Sequence, residues 1–247
     1  ELSGLELCAI FIDGIEFKKQ MLVVALGLDK KGKKHILGLW QGATENSTVC
    51  NNLLDDIERR GLDMGKDYLF VLDGSKALRT SVAKKFGSIR LQRCQQHKRR
   101  NVRDHLPPEH QEAIDARIRA AYNMTDYDKA KKSLDLTVRY LERLNPSAAA
   151  SLREGLEETL TLHKLGVTGL LRKTLSTTNP IESCFSVTRT ITGRVKRWSG
   201  GDMVQRWAVA ALLRAERKFK RVKGYREIPK LTADLQQESI DRKEVAA

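Results

Sequence analysis

Two stretches of this chain share one pattern, and it restricts the fold more than any other feature of the sequence. Ala9-Ile10-Phe11-Ile12-Asp13-Gly14 and Leu69-Phe70-Val71-Leu72-Asp73-Gly74 are runs of apolar, β-favouring residues that each stop at an aspartate followed by glycine. Such a run reads as a buried strand, so each delivers a carboxylate at or near a strand end. An ionised group at the edge of a core is costly unless it is paired or binds a metal. The two aspartates are therefore candidates for one shared cation site, and a third carboxylate is expected to complete it. The best candidate is Glu182, in Thr177-Thr178-Asn179-Pro180-Ile181-Glu182-Ser183, at the first turn of an expected helix.

The intervening sequence supports a sheet that brings the strand ends together. Residues 5–17, 21–28 and 35–40 read as three antiparallel strands in a meander, with turn candidates at Lys18-Lys19-Gln20 and in the lysine-rich stretch 29–34. Ser47 is the expected N-cap of a helix reaching about Arg60, with Val49, Leu53, Leu54 and Ile57 on one stripe and Gly61 as the stop. A crossover helix implies a parallel strand next. Residues 68–72 supply it, and a right-handed connection returns it beside the first strand, which puts Asp13 and Asp73 on neighbours. A helix over 75–86 and a short strand over 89–92 follow. From Gln95 the pattern is helical with charged faces: 95–104, 109–122, 127–144 and 147–165, with breaks at Pro107-Pro108 and Asn145-Pro146. Helices over 180–198 and 203–223 come after, and the polar tail beyond Gly224 is expected to fray. The predicted organisation is an α/β core begun by residues 1–94, interrupted by an all-helical insertion at 95–176, and completed by 177–247.

Each carboxylate also has a local explanation. Asp-Gly is a frequent hairpin turn, but Ile15 and Phe17 continue the alternation beyond Gly14. Asp73-Gly74-Ser75 has the composition of a helix N-cap; it is the repetition of the strand-Asp-Gly pattern that favours a site. Asn179-Pro180-Ile181-Glu182 has the form of a capping box, with Asn179 as cap, Pro180 at the first helical position and Glu182 reaching back to the cap amide.

Charge narrows the partner. Lys and Arg number 45 against 31 Asp and Glu, a net charge of +14 over 247 residues, and such an excess points to a polyanion, nucleic acid ahead of a membrane surface. No apolar block approaches the ~18 residues that a bilayer span needs, and no basic-then-apolar leader opens the chain, so no membrane is expected as partner and a cytoplasmic, nucleoid-associated protein is. Cys8, Cys50, Cys94 and Cys184 form no CxxC pair, which argues against a disulfide framework. The start on a core strand without an initiator methionine suggests a piece of a longer protein. Neither a phosphate-binding Gly-x-x-x-x-Gly-Lys-Ser/Thr loop nor a Gly-x-Gly-x-x-Gly follows a strand, so nucleotide hydrolysis and dinucleotide redox chemistry lose support. Three carboxylates around one or two Mg²⁺ ions suit phosphodiester chemistry, because Mg²⁺ prefers hard oxygen ligands and an ion pair can clamp attacking and leaving oxygens.

Taken together, Asp13 in Phe-Ile-Asp-Gly, Asp73 in Val-Leu-Asp-Gly-Ser, the run Arg93-Cys94-Gln95-Gln96-His97-Lys98-Arg99-Arg100-Asn101 and Thr178-Asn179-Pro180-Ile181-Glu182-Ser183 resemble the mutator-type transposases of bacterial insertion sequences. The resemblance spans nearly the whole chain. It implies an RNase H-like mixed sheet flanked by helices, interrupted by a helical insertion, with a DDE triad on Asp13, Asp73 and Glu182. It also implies Mg²⁺ (Mn²⁺ as substitute), cleavage of double-stranded DNA at element ends, transfer of the 3′-hydroxyl to new DNA, and a homodimer or larger assembly on DNA. A transposase-derived DNA-binding or assembly protein without catalysis is the alternative, and a simple nuclease would share the site without the joining step.

Cys94 and His97 have the spacing of half a zinc site, but His105 and His110 do not supply an obvious second half, so a packing or hydrogen-bonding role at the root of the insertion is expected. Lys98, Arg99, Arg100 and Arg103, beside the strand ends, are candidate DNA contacts, although a solvated helix face explains them equally well. Arg189, Arg194, Lys196 and Arg197 are candidate phosphate contacts beyond Glu182, with Trp198 expected in the core.

Overall fold

A computed structural model of the chain describes all residues except 18, 19, 43, 45, 88, 199, 200, 246 and 247, with the backbone alone at 201 and 238–245. Three strands open the chain, β1 (Leu7–Phe17), β2 (Gln20–Asp29) and β3 (Lys34–Gly42), as an antiparallel meander. The turn expected at Lys18-Lys19 lies outside the described residues. Helix α1 (Ser47–Arg59) crosses over to β4 (Leu69–Leu72), which pairs parallel with β1, and α2 (Lys76–Phe86) leads to β5 (Arg90–Arg93), parallel to β4. The result is a five-stranded mixed sheet of order β3-β2-β1-β4-β5. The cap of α1 is Asn46, whose side chain accepts from Val49 N, one residue earlier than the expected Ser47.

Period-two alternation sorts the strand residues into two cores. Ile10, Ile12, Val23, Phe70 and Leu72 face α1 and α2. Phe11, Ile15, Val24, Leu69 and Val71 face the helices of the last third of the chain. Asp13 shares the parity of Phe11 and Ile15, and Asp73 that of Val71, so both carboxylates belong to this second face.

Seven helices follow β5: α3 (Gln95–Asp104), α4 (Pro108–Asn123), α5 (Tyr127–Leu144), α6 (Pro146–Arg153), α7 (Leu156–Thr159), α8 (Thr161–Lys164) and α9 (Gly169–Leu175). Side chains from Val102 to Leu160 form a third apolar cluster of their own. The single helix expected over 147–165 is broken. Gly155 stands at φ +62°, and a Cβ there would run into the Arg93 guanidinium. At the same break, Lys98 Nζ donates to Ser151 O (2.5 Å) and Glu154 O (2.6 Å). These carbonyls at the end of α6 lack helical partners, and the ammonium satisfies them and complements the helix dipole.

The chain returns to the sheet with α10 (Asn179–Thr192), α11 (Gly201–Glu216) and α12 (Ile228–Val245). Helix α10 stops at Thr192, short of the expected Trp198. Thr188 and Thr192 bond back to the carbonyls of Cys184 and Thr188, a habit that weakens a helix, and Gly193 follows. Helix α11 ends before the predicted Lys223, where Val222 N turns to donate to Gly32 O (2.9 Å). The tail expected to fray is instead a helix: Ile228, Leu231 and Leu235 recur at i, i+3 and i+7 and are buried in the core beneath the sheet. Trp198 packs edge-on against Phe17, with ring centroids 5.1 Å apart, and leans on that same core. Among the described residues no helix is long and apolar enough to cross a membrane.

Candidate metal-binding active site

Register places the first two carboxylates. Ile12 pairs with Leu72 at the end of the β1–β4 ladder, so Asp13 and Asp73 each stand one residue beyond it, on adjacent strands and one face. Asp13 is still within β1 and 5% exposed, and its Oδ1 accepts from Gly14 N at 2.9 Å. Burial, reinforced by the charges of Asp73 and Glu182, pushes its carboxyl up to about 7, against the opposing pull of His97 and the Gly14 amide. Asp73 is half-buried at the β4–α2 turn, where its Oδ1 accepts from Ser75 N (2.8 Å) and Ser75 caps α2. Gly74, between them, has φ +113° and lies against the Arg93 guanidinium with no room for a Cβ. Arg93 donates to Gly74 O, Glu154 O and the Glu154 carboxylate. It thereby ties the turn bearing Asp73 to the break after α6.

Glu182 occupies the first turn of α10, half-buried over the same face. It does not close the expected capping box. The cap position is Thr178, and its hydroxyl donates a hydrogen bond to the carboxylate, Thr178 Oγ1 to Glu182 Oε1 at 2.9 Å. Thr178 is fully buried; its Oγ1 also lies 3.4 Å from His97 Nδ1 and 3.5 Å from Cys94 Sγ, and its amide donates to Cys94 Sγ at 3.4 Å. Cys94 in turn caps α3, accepting from His97 N. Burial opposes ionisation of this thiol, but the hydrogen bonds from the His97 side chain and amide and from Thr178 outweigh it and lower its pKa. The entrances of α3 and α10 are thus fastened to each other through a thiol and a hydroxyl, and the Gln95 N to Ser176 O bond adds to the joint.

His97 is drawn into the cluster as well. Its Nε2 is 3.6 Å from Glu182 Oε1. Its hydrogen bond to Cys94 raises its pKa to about 9 against desolvation, with the charges of Cys94, Asp13 and Glu182 adding to the rise. Asp13, His97 and Glu182 each offer one ligand atom, and these atoms lie within 4.8 Å of one another. Asp73 is not in this tightest group, yet its charge is the strongest that raises the Asp13 pKa. The site therefore gathers two carboxylates and an imidazole, with the Asp73 carboxylate near enough to oppose the charge on Asp13. Hard oxygen donors in that number fit Mg²⁺ or Mn²⁺. Among the described residues Cys94 belongs to no metal-ligating group of three, and His105 and His110 do not join it.

The predicted DNA contacts divide. Lys98 is a correction: it is 1% exposed and both its hydrogen bonds go to carbonyls, so it reaches no surface. Arg99 is forked onto Asp115 at 2.7 and 2.5 Å. Arg103 is exposed but bonded to Gln111. Arg100, Arg189, Arg194, Lys196 and Arg197 are exposed with no acidic partner among the described residues. Sequence reasoning missed Thr178 as a partner of Glu182, although four residues apart at a helix entrance is the spacing at which side chains meet. The hydrogen-bonding role expected for Cys94 and His97 is present, but His97 also stands beside the carboxylates, where sequence reasoning did not place it.

Comparison with known proteins identifies the family of the chain. Residues 12–221 match the profile of the family described as Transposase, Mutator family. The chain is 31% identical over 195 residues to the transposase for insertion sequence element IS6120 of Mycolicibacterium smegmatis, covering 76% of this chain and 59% of that protein. It is 28% identical over 175 residues to the transposase for insertion sequence element IST2 of Acidithiobacillus ferrooxidans, covering 71% and 58%. It is also 27% identical over 161 residues to the transposase for IS256 in transposon Tn4001 of Staphylococcus aureus, covering 64% and 40%. The chain thus spans less than two thirds of the length of these relatives. A profile match running from the strand that bears Asp13 to beyond α11 shows that the chain belongs to the Mutator family of transposases.

Proposed function

We propose that this chain is the catalytic portion of a DNA transposase, an RNase H-like core of residues 1–94 and 177–247 with a helical insertion at 95–176, and that Asp13, Asp73 and Glu182 form its DDE triad. The observation that carries this reading is the gathering of Asp13, Glu182 and His97 within 4.8 Å, with Asp73 on the neighbouring strand. Asp13, Asp73 and Glu182 would hold Mg²⁺, which when bound supplies positive charge to the scissile phosphate and eases deprotonation of the nucleophile.

The chain's own groups do the remaining work. Thr178 holds Glu182 Oε1 by donating to it, and His97 lies against the same oxygen, so the glutamate is oriented before any ion arrives. Arg100, Arg189, Arg194, Lys196 and Arg197 hold phosphates on either side of the carboxylates. In the first step water attacks a phosphodiester at the element end and the 3′-hydroxyl leaves with a proton. In the second, that hydroxyl attacks a target phosphodiester and displaces a new 3′-hydroxyl, so bonds balance without a redox partner. Two element ends must meet, so the active assembly on DNA holds at least two copies.

Asp73→Ala and Glu182→Gln test the assignment in a strand-transfer assay with pre-nicked duplex ends and Mg²⁺, with folding verified by melting. Both variants should lose about 10²–10³-fold or more in rate, the scale of removing one preorganised electrostatic contact to the transition state. Wild-type rates in Asp73→Ala would sink the triad. Cleavage without joining in the wild type would reduce the protein to a nuclease, and an absence of Mn²⁺ binding would reduce it to a DNA-binding relative.

A further inference from the structure

The lysine-rich turn between β2 and β3 finds its partner at the far end of the chain. Val222 N donates to Gly32 O at 2.9 Å, and Gly32 is packed against Tyr225, leaving no room for a side chain there. The Arg221 and Arg226 guanidinium groups lie over the Tyr225 ring, 5.1 and 5.9 Å from its centroid, and Thr174 fastens Lys223 by its carbonyl. Lys31 and Lys33 are thereby brought beside Lys220, Arg221, Lys223 and Arg226, all six exposed.

The neighbouring acids are engaged elsewhere. Asp29 accepts from the amides of Lys31 and Lys33 and pairs with His35. Glu216 accepts from Ile36 N, Glu6 pairs with Lys30, and Glu227 is turned toward Gly169. Among the described residues Lys31, Lys33, Lys220 and Lys223 have no acidic partner. In register, Asp13 stands opposite Val24 and Leu7 opposite Asp29, so this surface lies ~20 Å from the carboxylates along the strands.

We propose that this surface binds the phosphate backbone of duplex DNA as a second contact, separate from the carboxylate site. Four free ammonium groups on two mutually braced backbone segments present fixed positive charge, which is the requirement for neutralising phosphates without reading sequence. Adsorption to lipid would call for exposed apolar residues beside the cations. Here Phe219 and Tyr225 are half-buried, Lys34 covers the Phe219 ring at 4.5 Å, and Leu170, the exposed apolar side chain beside Gly224, is a single residue and not the broad apolar face that insertion needs. The surface extends the DNA footprint past the reacting ends and adds affinity by tethering. It does not depend on the triad assignment, since phosphate binding needs no metal.

The test replaces Lys31, Lys33, Lys220 and Lys223 with Ala in the full chain and measures anisotropy of a labelled random-sequence duplex across a salt series. Each lost phosphate contact lowers the slope of log Kobs against log salt by about 0.9, so loss of four contacts should flatten the slope by about 3.6 and lower affinity at moderate salt at least about tenfold. The control removes equal charge from exposed positions on α5, Lys129, Lys132, Arg139 and Arg143, and should change the slope by less than about 1. An unchanged slope in the first variant overturns the proposal. So does an equal effect in the control, or, in a parallel co-sedimentation assay with anionic lipid vesicles, a loss confined to the vesicles with duplex binding unchanged. Failure of the triad assignment would instead show as strand transfer retained in Asp73→Ala, with this slope unaffected.

Discussion

Replacing Asp13 by Asn should stabilise the metal-free protein at alkaline pH and do little for it in acid. The Asp13 carboxyl is pushed from 3.8 to about 7 by burial and by Asp73. The native state therefore binds this proton more tightly than the unfolded chain does, and stability declines as pH rises from about 4 to about 7. At 1.36 kcal/mol per unit the full decline is ~4 kcal/mol. Relaxation and water entry reduce this, leaving about 2–4 kcal/mol, or roughly 4–16 °C in melting temperature for a chain of this size. His97 extends the slope. Its raised pKa gives stability that is fully present below 6.5 and is lost as pH rises to about 9. The assay is thermal unfolding of wild type and Asp13→Asn in EDTA at a series of pH values, repeated with Mg²⁺. The wild type should weaken with rising pH in EDTA, and the variant should melt higher above neutrality. Mg²⁺ should then raise the wild type alone, because only it retains the full ligand set. A metal-free wild type that is flat or more stable at higher pH, or a variant that melts no higher, refutes the reasoning.

Thr178→Val keeps the shape of the side chain and removes the donor to Glu182. Stability should fall by about 1 kcal/mol and Mn²⁺ affinity by about 10-fold or more, with Thr178→Ser restoring both; unchanged Mn²⁺ titration in the valine variant rules out the positioning role. Lys98→Met removes the donor to the Ser151 carbonyl and leaves Glu154 O to Arg93 alone, and should cost about 1–3 kcal/mol in urea unfolding, with no change in the salt dependence of DNA binding. A Lys98→Met protein of full stability and weakened DNA binding would restore the surface role this residue lacks in the fold.

Much of the sheet was readable because strand alternation and turn chemistry are local. Ile10 and Phe11 declare opposite faces without reference to anything distant, and the parallel return of the strand after α1 follows from chirality. The tail misled because its polar residues outnumber the stripe of Ile228, Leu231 and Leu235, and only the core beneath the sheet gives that stripe something to cover. The break at Gly155 was hidden for a similar reason, since the residues that enforce it, Arg93 and Lys98, precede it by more than fifty positions.

The same division holds at the site. Periodicity placed Asp13 and Asp73 side by side where two strands meet and Glu182 on a first turn, because each placement depends on a few adjacent residues. Strand β1 itself runs on past Asp13 to Phe17, so Asp13 stands just beyond the end of its ladder with β4 and not at the end of the strand. Which groups then touch depended on the assembled fold. His97 meets Asp13 and Glu182, Thr178 serves Glu182 in place of a capping amide, and Lys98 disappears beneath the end of α6, all through contacts between elements far apart in the chain. Residue type announces that a lysine carries a charge. Whether that charge faces a phosphate or two carbonyls is set by the helix packed over it, which no local pattern contains.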